Sequence, residues 1–125
     1  MKIFIFSVFL LPFSFLFSQG NLQFNQVITY GGNLNAGSIS TNNGSFTYSS
    51  PAYTVPSGKV WKIENVMSYN SIIMIVNNLI AGSVGSGIGP ISTLWLKAGD
   101  VLRFANSSIS TNSYFFSGIE FNIIP

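Results

Sequence analysis

The sequence predicts an all-β protein: an antiparallel β-sandwich of jelly-roll type with about eight short strands. Three observations carry that reading. Apolar stretches of four to eight residues recur along the chain. They are separated by Gly, Pro and Asn, residues that set turn geometry. No window repeats apolar residues at helical spacing without Gly, Asn or β-branched interruptions.

The first strand is expected within 22–30, with Leu22, Phe24 and Ile28 on one face and Gln23 and Asn25 opposite. Residues 31–44 are rich in Gly, Asn and Ser and read as a long loop that leaves room for a short strand. Ser45–Tyr48 alternates weakly, and Ala52–Val55 resumes the pattern. Pro56-Ser57-Gly58 is a turn, since Pro fixes φ and Gly supplies positive φ. Val60–Met67 follows as a strand with Trp61, Ile63 and Met67 on one face. Ile72–Val76 is continuously apolar and fits a buried central strand. Asn77-Asn78 reads as a tight hairpin turn, with Leu79–Ala81 returning. Residues 82–90 read as a flexible loop. Ile91–Lys97 and Val101–Ala105 are strands around an Ala98-Gly99 turn. Asn106–Asn112 is polar, and Ser113–Phe116 and Gly118–Ile124 end the chain.

One internal echo stands out. Val55-Pro56-Ser57-Gly58-Lys59-Val60 and Leu96-Lys97-Ala98-Gly99-Asp100-Val101 share an apolar–x–small–Gly–charged–Val pattern. They are either two similar turns or corresponding corners of two Greek-key halves.

Residues 1–18 are expected to be a cleaved signal peptide. Lys2 starts the chain, Ile3–Phe17 is almost unbroken in its apolar character, and Ser18, Gln19 and Gly20 follow. The stretch is shorter than the roughly 20 apolar residues of a bilayer span. Residues 19–125 then form a single secreted domain, extracellular or at the cell surface, with no membrane association after processing.

The chain has 125 residues, no Cys and no His. Thiol and imidazole chemistry and Cys/His zinc sites are therefore excluded. No metal or cofactor is expected. The domain carries Lys59, Lys62, Lys97 and Arg103 against Glu64, Asp100 and Glu120. Four scattered cations do not make a nucleic-acid surface. Glu64 is expected to face solvent beside Lys62, Asp100 to serve a turn, and Glu120 to project opposite Ile119 and Phe121. Nothing in their spacing converges them into a catalytic pair.

Tyr and Trp accompany abundant Asn and Ser, a composition that suits sugar recognition. Trp61 shares the apolar face of its strand and reads as core. Trp95 lies opposite Leu94 and Leu96 and is the better candidate for an exposed platform. Tyr53 and Tyr69 join it as candidate ligand-binding residues. Sparse charge also favours association.

The strings TVPSGKVWKIENV, PISTLWLKAGDVLRF and SGIEFNIIP resemble small secreted single-domain β-sandwich proteins of Bacteroidota, flavobacteria above all. The resemblance covers 54–66 and 90–125. It implies a secreted sandwich and no particular activity. The Pro-x-Gly turns also look like those of cupin-like and phage tail-tip jelly rolls, but the metal-binding His residues of a cupin have no counterpart here. The expected role is a non-catalytic binding or surface-assembly module, whose partner is a second copy, an extracellular polysaccharide or a surface protein. A carbohydrate-binding or adhesion module is the first alternative. A small carbohydrate-active enzyme using Glu64, Asp100 or Glu120 is the second.

Overall fold

A computed structural model describes residues 21–107 and 112–125. The expected signal peptide, residues 1–18, lies outside the described residues. The chain forms β1 (Asn21–Asn33), β2 (Asn35–Thr41), β3 (Gly44–Ser49), β4 (Tyr53–Thr54), β5 (Lys59–Ser68), β6 (Ile72–Val76), β7 (Leu79–Val84), β8 (Gly87–Lys97), β9 (Val101–Asn106) and β10 (Ser113–Ile124). The first sheet, A, has the order β1-β10-β5-β8. The second, B, has the order β2-β3-β9-β6-β7, with β4 also pairing β9. All pairings are antiparallel. The pairs are nested: β1 with β10, β3 and β4 with β9, β5 with β8, and β6 with β7. A ribbon paired this way and wound into two sheets is a jelly roll.

The turns follow from residue chemistry. Asn77 and Asn78 both take left-handed φ, 51° and 66°, and close the β6–β7 hairpin. The two echoed segments adopt the same turn. Lys59 N donates to Pro56 O and Asp100 N to Lys97 O, and the Gly at the third position has φ of 71° or 87°. Each turn carries the chain from one sheet to the other, β4 to β5 and β8 to β9. The two are joined, because Val55 N donates to Asp100 O and Gly99 N to Val55 O, both at 3.0 Å. The echo therefore marks two equivalent corners of the jelly roll.

The core lies between the sheets. Ile28, Trp61, Ile63, Val66, Leu96 and Phe116 from sheet A meet Ile72, Met74, Leu102 and Phe104 from sheet B. Trp61 is core, as its strand pattern predicts.

Three expectations need correction, and β-bulges explain two of them. The β1–β10 register slips between Phe24 and Gln26, so Asn25 is an extra residue. Phe24 and Val27 consequently share the outer face, and Ile28 turns inward instead of lying with Leu22 and Phe24. The β5–β8 register slips between Ile63 and Asn65, which sends Val66 rather than Met67 into the core. The third correction concerns the expected loops. Residues 31–44 hold the end of β1 and all of β2, and residues 82–90 hold the end of β7 and the start of β8.

The β2–β3 hairpin has a packing reason to form. β3 pairs with β9 only at Tyr48 and Ser49, and the rest of the hairpin lies across the outer face of sheet B. There Ile39 and Phe46 cover Ile73, Ile75 and Ala105. Asn42 N ties the hairpin tip to Asn78 O at 3.3 Å.

Candidate functional site

Among the described residues the outer face of sheet A has no such cover. Its strands present their alternate, outward residues to solvent. Cross-strand register sets Val27 beside Ile119, Ile119 beside Lys62, and Lys62 beside Trp95. The next row sets Phe24 beside Phe121 and Phe121 beside Val60. Leu22 and Ile123 extend it. Val27 is 65% exposed, Phe24 59% and Trp95 51%. Trp95 stacks on Phe121 with centroids 5.7 Å apart. Lys62 Nζ stands 5.8 Å from the Trp95 ring centroid and donates to Glu64 Oε1 at 2.7 Å. The face is thus a contiguous apolar surface with an internally neutralised ion pair, where isolated exposed apolar residues would need no explanation.

Glu120 explains how β1 is held in this arrangement. Its carboxylate is 4% exposed on the inner side of sheet A, not a surface or turn group. Oε2 accepts from Trp61 Nε1 at 2.8 Å. Oε1 accepts from Asn25 Nδ2 at 2.6 Å and Gln26 Nε2 at 3.1 Å. The bulge lets these two consecutive residues reach the same oxygen, while their neighbours Phe24 and Val27 turn outward. Burial pushes the Glu120 carboxyl up. The hydrogen bonds from Trp61, Asn25 and Gln26, with the charge of Lys59, outweigh it and hold the group below the ordinary carboxylate range.

The three aromatic candidates occupy different places. Trp95 lies on the outer face of sheet A. Tyr69 is 76% exposed at one end of the sandwich, beside a recess of about 380 Å³ that Met67, Ser68, Tyr114 and Phe115 also line. Tyr53 is half-buried. It packs against Tyr30 and Phe116, and its hydroxyl pairs with that of Tyr114. Burial, reinforced by the Tyr53 hydrogen bond, pushes the Tyr114 phenol above its usual range and keeps it neutral. No single platform gathers the three.

Each carboxylate has its own structural partners. Asp100 Oδ1 accepts from Asn77 Nδ2 at 2.8 Å and Oδ2 from Lys97 N at 2.9 Å. Glu64 pairs with Lys62, and Glu120 is enclosed as described. Among the described residues no group of three or more acidic residues is placed to hold a metal.

The pattern 22–30 reveals Leu22 and Phe24 as a pair but misses Val27. Ile119 and Phe121 were legible as facing opposite to Glu120, and the missing information was which side was outside.

Comparison with known proteins finds no family model, no curated protein and no solved structure that matches the chain. No helix among the described residues is long and apolar enough to cross a membrane.

Proposed function

We propose that the protein is a secreted, non-catalytic assembly module that associates with copies of itself through the outer face of sheet A. The observation that carries this reading is the contrast between the two sheets. Sheet B covers Ile73, Ile75 and Ala105 on its outer face with its own β2–β3 hairpin, whereas among the described residues nothing comparable lies over the exposed Phe24, Val27 and Trp95 of sheet A. Charge selects the occupant. The Lys62–Glu64 pair is neutral overall, and Lys97, beside Val60 on the edge strand β8, adds a single positive charge at the margin of the face, so an identical face meets little repulsion and a strongly charged partner finds little to attract it. Size agrees too. Four strands about 4.8 Å apart, with β5 running ten residues at about 3.3 Å each, present roughly 600 Å² of projected face. That is the scale of the roughly 800 Å² per partner in a specific interface.

The exposed Trp95 ring favours a second reading, a saccharide stacked on it. Measuring solution mass against concentration, for the protein and for Val27→Lys, separates the two. Self-association predicts an oligomer that the added charge dissociates. A monomer that binds a glycan through Trp95 would replace the assembly reading with the saccharide one.

A further inference from the structure

The free edge of sheet A is a separate feature from its outer face. β1 ends the strand order β1-β10-β5-β8, so one side of it has no neighbour among the described residues. Such edges are ordinarily blunted by Lys, by Pro or by being short. The opposite edge, β8, follows that rule with Pro90 and Lys97. β1 does not. Its 13 residues, Asn21–Asn33, include no charged residue and no Pro, and all but Ile28 are exposed. The bulge at Asn25 interrupts it once. Beyond the bulge, Gln26–Asn33 runs in unbroken register with β10, an extended stretch of about 26 Å.

The hydrogen bonds show which backbone groups of that stretch are unspent. Leu34 N donates to Asn112 O at 2.8 Å, one step past the Asn33–Ser113 pair. Tyr69 N donates to Ser113 O at 3.2 Å, so Ser113 points the other way, past the end of β5. Along a strand the N–H and C=O groups of successive residues alternate sides. Ile28, Tyr30, Gly32 and Leu34 therefore bond to β10. Val27, Thr29, Gly31 and Asn33 aim their N–H and C=O groups at the free edge. The same alternation turns the side chains of Val27 and Thr29 to the outer face of sheet A.

We infer that β1 is a second self-association surface, on which β1 of another copy pairs antiparallel and joins two four-stranded sheets into one continuous sheet. An antiparallel pairing of a strand with its own copy has a two-fold axis. Centred on Thr29, it sets Thr29 opposite Thr29 and Val27 opposite Gly31. The exposed Val27 side chain then meets a residue that has none. Val27, Thr29 and Gly31 of the two copies exchange about six hydrogen bonds, inside the range of roughly 5–15 for a typical interface. Charge and length favour an identical partner. The strand carries no charge to repel its copy, and a second β1 matches it over the whole stretch. A foreign peptide would need side-chain pockets along the edge to be selected, and the recess beside Tyr69 is lined by no β1 residue. The axis stands perpendicular to the sheet, so the outer faces of both copies lie on the same side. The inference does not rest on the face-to-face reading. Val27 belongs to both surfaces, and a Lys there blunts the edge as well, so other positions must tell them apart.

The test is amide hydrogen exchange of the purified protein, concentrated and dilute, alongside sedimentation of the wild type, Thr29→Pro and Trp95→Glu. The amides of Val27, Thr29 and Gly31 are expected to exchange at least about tenfold more slowly in the assembled protein. A face-to-face contact alone leaves the edge backbone open to water. Thr29→Pro removes an N–H that β10 does not use, so the fold is expected to persist and the assembled mass to halve. Trp95→Glu alters only the outer face and is expected to leave the slowed exchange at the edge. The exchange comparison needs no variant, so it decides the matter if Thr29→Pro fails to fold. Equal exchange of the three amides in concentrated and dilute protein would overturn the proposal. So would an unchanged mass for folded Thr29→Pro, or a monomer at every concentration. An assembly lost in Trp95→Glu but kept in Thr29→Pro removes the edge and leaves the face. The reverse result supports the edge and removes the face.

Discussion

Replacing Glu120 by Gln keeps the shape of a buried side chain and removes its charge. The wild-type carboxylate accepts three hydrogen bonds, from Trp61, Asn25 and Gln26. A Gln oxygen can accept only on one side. If it keeps Asn25 and Gln26, its NH₂ group faces the Trp61 N–H and one buried donor loses its acceptor. Such a loss costs about 1–3 kcal/mol, and each retained bond drops from charge-assisted to neutral strength, about 1 kcal/mol less. The expected destabilisation is about 3–5 kcal/mol at neutral pH, a large share of the roughly 5–15 kcal/mol of a typical domain. The pH dependence gives a second reading. The folded-state pKa of Glu120 lies below its ordinary value, so its stabilisation is complete above the ordinary carboxylate range. It is lost as pH falls from that range through the folded pKa. Gln does not titrate. Urea unfolding of both proteins across pH should therefore show a gap that is widest near neutrality and narrows in acid. A gap below about 0.5 kcal/mol at neutral pH would refute the reasoning, because that is the scale of an ordinary surface substitution. A gap that does not narrow in acid would show that the charge is not its source.

Other expectations follow from single positions. A Cβ at Gly118 would run into the backbone carbonyl of Lys62 and stand 3.0 Å from Ile63 Cα, so Gly118→Ala should force β10 away from β5 and cost at least about 3 kcal/mol by thermal or urea unfolding. Asn112 is fully buried, accepts from Asn70 N at 3.0 Å and donates to Asn70 O at 3.2 Å. Asn112→Ala should cost about 2–4 kcal/mol and speed hydrogen exchange at Asn70 beside the exposed Tyr69. Gly99 has φ of 87°, so Gly99→Ala should cost about 1–2 kcal/mol through the turn alone.

Sequence alone reveals the features that depend on residue-specific backbone geometry. Asn77-Asn78, Pro56-Ser57-Gly58 and Ala98-Gly99 are turns because few other residues accept the required φ. The jelly-roll class and its β-sandwich layers follow from strands punctuated by such turns. The bulges are different. A slip at Asn25 reverses which side of β1 every later residue faces, and no local pattern marks it. The slip is stabilised by Glu120, 95 positions away. The extent of β2 is hidden in the sequence for a related reason, whereas Ser45–Tyr48 is legible and forms β3. The Gly, Asn and Ser content of β2 weakens local strand preference, and Ile39 and Phe46 find their partners only on the distant β6 and β9. Trp95 could be placed on the face opposite Leu94 and Leu96. Its stacking partner Phe121 and the continuity of the apolar face required the sheet order.

The central claim is that the uncovered face of sheet A joins identical copies. Sedimentation or light scattering of the purified protein over about a hundredfold range of concentration tests it most directly, since self-association obeys mass action. The account predicts a defined oligomer that Val27→Lys converts to a monomer without lowering the unfolding temperature of the monomeric domain. A monomer at every concentration, or an oligomer that Val27→Lys and Trp95→Glu leave intact, would contradict it.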